Sequence, residues 1–402
     1  MEDRSNISGS TSRLPDEIRL KTATLERPAP EVGPRLLFFS GGTALTAISR
    51  GLKAHTHNSI HLVTPFDSGG SSAKLRQAFN MPAVGDLRSR LMALADESLS
   101  GHPQIYRLFT TRLPQAASQD DLERELTALT QGRHALTANL CARVRGIVLA
   151  HLKVFSQSKP ADFDLRGASL GNLILAGGYL SNGRQLDPIV QQFSDLVRVR
   201  GTVRTVVTDN LHVAADLQDG TTIVGQHRLT GKEQPGISSP IRSFYLNAAP
   251  NHSRPATSRL SDDRIKLITS ADLICFAPGS FYSSLIANLL PEGVTDAIVQ
   301  ADCPKVFLPS LGNDPEQFGM SLEESVTVLL DTLRWGGASD IPKARLLNVV
   351  LLDHSHALDP GGNTGAALRR KGMHLHQATL VRPGEQGRYD PESVASALLS
   401  FV

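Results

Sequence analysis

The chain of 402 residues has little cysteine, little aromatic character and almost no net charge. It holds three cysteines, one tryptophan, 5% aromatic residues and a formal charge of +2 at neutral pH. Cys141, Cys275 and Cys303 are odd in number, far apart and without a Cys-x-x-Cys pair. That pattern argues against a disulfide framework and against a zinc ribbon, and a reducing cytoplasm is the expected compartment. The near-neutral charge leaves out the broad basic field that nonspecific binding to nucleic acid needs, so any anion site must be local. No apolar run approaches the ~20 residues that span a bilayer. The opening segment MEDRSNISGSTSRLPDEIRLK has no hydrophobic signal core, so neither export nor membrane embedding is expected.

What is present is an ordinary globular balance, 40% apolar and 20% charged residues, over a length that allows a sizeable core. Residues 1–34 are rich in Ser, Pro and charge without a sustained period, and read as a flexible arm. From 35 to 402 the sequence reads as one α/β unit. RLLFFS precedes SGGT and a helix through LTAISRGLK, and SIHLVTP precedes FDSGGSS and a second helix. Strand, glycine loop and helix, twice over, predict a Rossmann-like, mainly parallel sheet. Residues from about 87 to 200 read as a helical insertion, including one run from Leu136 to Phe155. TVRTVVTD, HVAADL and TTIVGQH follow, and Asp219-Gly220 predicts a two-residue hairpin in a small antiparallel element. The α/β pattern then returns with DLICFAP, a helix FYSSLIANLL, and strands in KVFLPSLG, LLNVVLLD and LHQATLV.

Three strand-to-helix loops carry the candidate chemistry. Ser40-Gly41-Gly42-Thr43 opens the first helix, where backbone N–H groups and the positive helix end suit a phosphate. It is neither a Walker A loop nor a G-x-G-x-x-G fingerprint, and a plain turn also explains it. Asp67-Ser68-Gly69-Gly70-Ser71-Ser72 repeats the arrangement, and Asp67 suits Mg²⁺, which often takes one carboxylate plus substrate phosphates; Asp67 and Ser72 also suit helix capping. Asp86 and Arg88 follow in a third segment, and Arg76 and Arg88 offer forked donors for phosphate oxygens. Pro278, Gly279, Ser280, Tyr282 and Ser283 belong to another such loop, and ligands bind at the carboxyl ends of parallel strands. His354, His356, His374 and His376 form pairs whose spacing fixes no metal geometry, and Ser280 lacks a G-x-S-x-G setting.

Taken together, these residues resemble the 2-phospho-L-lactate transferase (CofD-like) superfamily, which includes the YvcK-like gluconeogenesis-factor proteins. The family pattern Gly-Gly-Thr-Gly-Leu is similar to Gly41-Gly42-Thr43-Ala44-Leu45. Asp-Asp-Gly-Gly-Ser-Ser-Gly-x-Leu-Arg is similar to residues 67–76, and Pro-Gly-Asp-Ile-Arg-Asn to residues 84–89. Gly-His-Ser-x-Gly-Asn-Leu is similar to residues 167–173, which include Asn172, and Gly-Pro-Gly-Ser-Leu-Tyr-Thr-Ser to residues 277–284.

The resemblance implies a nucleotide-diphosphate ligand bound by these loops. In the transferase branch it implies Mg²⁺-dependent transfer of a phospholactyl-type group to a deazaflavin precursor with release of GMP. In the regulator branch it implies a UDP-sugar ligand and an influence on carbon metabolism and cell-wall growth. Ser68, Ala168 and Ser89 stand where the family pattern has Asp, His and Asn, changes that weaken a catalytic reading more than a binding one. A homodimer is one of the assemblies the sequence allows.

Overall fold

The computed structural model describes residues 29–98, 103–231, 236–335, 341–355, 363–385 and 387–402. Most of the N-terminal arm expected over 1–34, and His356, lie outside these residues.

The chain opens with β1 (Leu36–Ser40), α1 (Thr46–Leu52), β2 (Ile60–Val63), α2 (Gly70–Phe79) and α3 (Gly85–Leu94). A run of helices follows: α4 (Pro103–Thr110), α5 (Gln119–Thr130), α6 (Ala135–Ala138), α7 (Ala142–Ser158), α8 (Leu170–Ser181) and α9 (Asp187–Leu196). Next come β3 (Thr202–Thr205), β4 (His212–Leu217), β5 (Thr222–Val224), α10 (Gln226–Leu229), β6 (Ile241–Asn247), α11 (Asp262–Thr269) and β7 (Leu273–Phe276). A π-helical turn (Phe281–Ile286) runs into α12 (Ala287–Leu289), followed by α13 (Val294–Gln300) and β8 (Lys305–Phe307). The chain ends with α14 (Leu322–Trp335), β9 (Val349–Asp353), α15 (Asn363–Arg370), β10 (His374–Ala378) and α16 (Pro391–Leu399).

Seven strands form a parallel sheet in the order β10-β9-β8-β7-β1-β2-β3. β1 and β2 are buried along their whole length, as expected of a parallel sheet covered on both faces. Leu37 and Phe39 enter one core, with the helices after β6 and β7; Leu36 and Phe38 enter the other, with Leu52 of α1 and Leu398 of α16. From β1 the chain winds outward through β2 to β3, then returns to β7 on the other side of β1 and winds outward again. The loops after β1 and β7 therefore diverge, leaving the crevice that a switch in strand order creates.

The helices from α4 to α9 pack on one another and on Val63, Leu75 and Val203. α5 starts at Ser118, whose hydroxyl accepts from the Asp121 N–H, with Asp120 and Asp121 in the first turn, a favourable start for a helix. Gly177 of α8 lies so close to the His151 carbonyl of α7 that a Cβ would overlap it.

Three sequence expectations change. The run from Leu136 to Phe155 is two helices, interrupted at residues 139–141. β3, expected beside the hairpin, pairs in parallel with β2 instead, and β6 supplies the third antiparallel strand beside β4. The hairpin loop has three residues rather than two: Leu217 N–H donates to the Thr221 carbonyl at 2.8 Å and Gly220 takes φ of +88°. That is the three-residue loop with glycine in the left-handed region.

Arg264 of α11 ties the helical layer to the sheet. Its side chain is 2% exposed, with Nε donating to the Thr205 carbonyl at 3.0 Å and the two terminal nitrogens to the Asp187 carboxylate at 2.7 and 2.5 Å. Arg264→Ala is expected to lower stability by about 2–3 kcal/mol, the scale of lost hydrogen bonds to charged groups, read as a lower midpoint in urea unfolding.

Candidate functional site

Helix first turns meet at one polar chamber. α2 begins after Gly69, α3 after Val84 and α8 after Ser169. Their first turns contribute Gly70, Ser71, Ser72, Asp86 and Asn172 to a cavity of about 270 Å³ that Thr43, Asp67, Gly69 and Arg88 also line. Each helix end carries roughly half a positive charge and orphan N–H groups, so their convergence favours an anion.

The glycines of the first loop are required by close approach. A Cβ on Gly42 would run into the Asp86 carboxylate, and one on Gly41 into the Ser284 side chain. On Gly85 it would come within 2.5 Å of Ser72 Oγ and 3.1 Å of Asp67 Oδ2, drawing the two acidic segments together. Beneath the loop lies Arg90, fully buried, with one terminal nitrogen donating to the carbonyls of Gly41 at 2.8 Å and Gly42 at 3.1 Å and the other to Ser49 Oγ. The sequence reading missed Arg90. Its signal is the four-residue spacing from Asp86, which sets both on one face of a predicted helix.

Arg88 is oriented before any ligand arrives. Its Nε donates to Asn172 Oδ1 at 2.9 Å and one terminal nitrogen to the Phe109 carbonyl at 3.2 Å. Burial pushes its pKa down to about 10, helped by Arg112 and opposed by Asp86, so it stays cationic at neutral pH. The Asn172 amide lies 3.4 Å from Ser71 Oγ. Asp67 Oδ1 accepts from the Gly69 N–H at 3.1 Å, and Asp86 Oδ2 lies 3.4 Å from the Thr64 hydroxyl. Asp67 and Asp86 are the carboxylates at this chamber. Among the described residues there is no group of three or more His, Cys, Asp or Glu that could hold a metal ion. The donor set therefore fits a cation such as Mg²⁺ only where ligand oxygens and water complete it.

Pro278, Gly279 and Ser280 line a second cavity of about 660 Å³, joined to the first through Thr43 and Thr230. Its lining also holds Glu385, Arg388 and Tyr389. Tyr282 and Ser283 do not reach either chamber. The N–H groups of Tyr282 and Ser283 both donate to Glu316, at 2.9 and 2.8 Å, and Phe281 N–H donates to Asp314 at 2.6 Å. The protein's own carboxylates thus occupy the helix end that the sequence reading offered to phosphate. Arg76 is also turned away: it donates to the Phe66, Asp67 and Leu211 carbonyls and to Asn210 Oδ1. It fixes the base of the second glycine loop from below. Gln226 and His227 line the first chamber, and nothing in their local sequence announces it.

Burial, with Asp314 beside it, pushes the Glu316 carboxyl up to about 7, against the hydrogen bonds from Ser283 and Tyr282. The folded state then keeps a proton that the unfolded chain releases in the ordinary carboxyl range, so this contribution to stability is complete below that range and is lost as pH rises through about 7. Thermal unfolding of the wild type is expected to fall across that window, and Glu316→Gln is expected to flatten the slope.

The sequence pattern of the family described as 2-phospho-L-lactate transferase CofD matches residues 36–370. A relative from Nostoc sp. bearing the name "Putative gluconeogenesis factor" is 30% identical over 283 residues, 70% of this chain. The chain spans only 48% of that relative. The gluconeogenesis factor of Bacillus subtilis is 27% identical over 282 residues, 70% of this chain and 69% of the relative. A crystal structure of a UPF0052-family protein from Bacillus halodurans shares the fold, with a TM-score of 0.65 over 91% of this chain and 99% of the other at 23% identity. The family match runs from the first residue of β1 to the last of α15, and the chain belongs to the CofD family.

Proposed function

We propose that the protein binds a nucleoside diphosphate or nucleotide sugar, with its phosphates in the cradle between α2, α3 and α8 and its nucleoside toward the larger chamber. The observation that carries this reading is the convergence of helix first turns and the preoriented Arg88 on one polar cavity. The adjoining chamber is wider and mixes apolar side chains, among them Ile48, Leu311 and Pro315, with polar ones. Such a lining suits a ring that needs both stacking surface and hydrogen bonds. The gluconeogenesis-factor names of the relatives support a binding role in regulation.

A second reading, transfer of a phosphorus-containing group with a nucleoside monophosphate leaving, is favoured by Asp67 and Asp86 on the same chamber. Mg²⁺ held there with ligand oxygens would neutralise phosphate charge. The chain's own part would be positional, with Arg88 and the helix N–H groups favouring the charge that builds on phosphate oxygens.

Calorimetric titration of the full chain with GDP, UDP and UDP-sugars, with and without Mg²⁺, tests the binding reading. At least one should bind saturably; Arg88→Ala should weaken it tenfold or more, on the order of one charge-assisted pair, and Asp67→Asn should remove the Mg²⁺ dependence. No saturable binding by any of them would sink the proposal. Saturable binding with no nucleoside monophosphate released, given a nucleotide adduct and an acceptor, would remove the transfer reading and leave the regulatory one.

A further inference from the structure

Ser68 and His227 meet at the edge of the cradle although 159 positions separate them. Ser68 stands just before the start of α2, and His227 is the second residue of α10. Ser68 Oγ lies 2.9 Å from His227 Nδ1 and 3.3 Å from the His227 backbone nitrogen. A backbone N–H only donates, so Ser68 Oγ accepts there and has its own proton to give to Nδ1. A neutral imidazole that accepts at Nδ1 carries its proton at Nε2. Gly225 supports the ring's placement: it takes φ of +98°, and a Cβ there would lie 3.0 Å from the imidazole Cε1. His227 lines the same cavity as Asp67, Ser71 and Arg88.

We propose that His227 is a ligand-positioning residue of this cavity, held by Ser68 in the Nε2–H tautomer so that it donates a hydrogen bond to a phosphate oxygen. The inference rests on the phosphate-cradle reading of the chamber. It also gives Ser68 a task that a carboxylate would perform differently. An ionised carboxylate has no proton to offer Nδ1, so it would favour the doubly protonated, charged ring. The hydroxyl offers a proton and leaves the ring neutral, with a single directed donor.

Two measurements on the full-length protein test this. Long-range ¹⁵N–¹H spectra at a pH where histidine is neutral, with the His227 signals assigned by their loss in His227→Gln, should show the Nε2–H tautomer in the wild type and a mixture in Ser68→Ala. A wild-type Nδ1–H tautomer would overturn the proposal. Calorimetry with inorganic pyrophosphate, GDP and UDP should then separate three variants. A glutamine amide reaches where Nε2 stands and an asparagine amide only where Nδ1 stands. His227→Gln is therefore expected to bind within about threefold of wild type, while His227→Asn and His227→Ala weaken about tenfold, the scale of one hydrogen bond to a charged acceptor. Unchanged affinity in His227→Ala, or retention by Asn with loss in Gln, would overturn the positioning role while the cradle reading stands. Failure of the wild type to bind any of the three ligands would instead remove the cradle reading, and this inference with it.

Discussion

A guanidinium with no exposure to water underlies the whole of the crevice. Burying a cation is costly unless acceptors surround it, and the loop after β1 is shaped to supply them to Arg90. The carbonyls of Gly41 and Gly42 and the hydroxyls of Ser40 and Ser49 all turn toward it. The demand is nearly met: only Nε has no hydrogen-bond partner among the described residues. Burial lowers its pKa to about 10 and the Asp86 carboxylate raises it, so the charge persists at neutral pH. Because these two carbonyls are committed to Arg90, the loop has a fixed face toward the interior and a fixed face toward the crevice.

The same economy recurs around the cradle. Asp86 sits against Gly42, Ser72 against Gly85, and Arg88 against Gly171, each contact closer than a Cβ would allow. Local charge is thereby built from short polar contacts between first turns of helices, without a basic surface. In a chain with a formal charge of only +2, this pocket sets helix first turns, Arg88 and Arg112 beside the carboxylates of Asp67 and Asp86, so its field comes from oriented dipoles and a few side chains.

The parallel sheet and the first two glycine loops were legible in the sequence because strand, loop and helix are contiguous there and each has its own periodicity. What was not legible depends on pairings between distant segments. β3 joins β2 across about 140 residues, and no local pattern distinguishes that partner from the neighbouring hairpin. Arg76 reads as a phosphate donor beside its glycine loop, yet the Asn210 side-chain oxygen and the Leu211 carbonyl, far along the chain, take its donors. Tyr282 and Ser283 read as ligand contacts until Glu316, more than 30 residues later, claims their N–H groups. For Arg76, Tyr282 and Ser283 alike, the donors are satisfied by acceptors elsewhere in the same chain.

The carboxylates of Asp314 and Glu316 give the crevice a direction. One chamber is bounded by helix first turns; at the helix end beside the other, the N–H groups of Phe281, Tyr282 and Ser283 already donate to the side chains of Asp314 and Glu316. A molecule long enough to span both would meet helix first turns at one end and, at the other, charged side chains of both signs, among them Arg50, Asp314, Glu385 and Arg388.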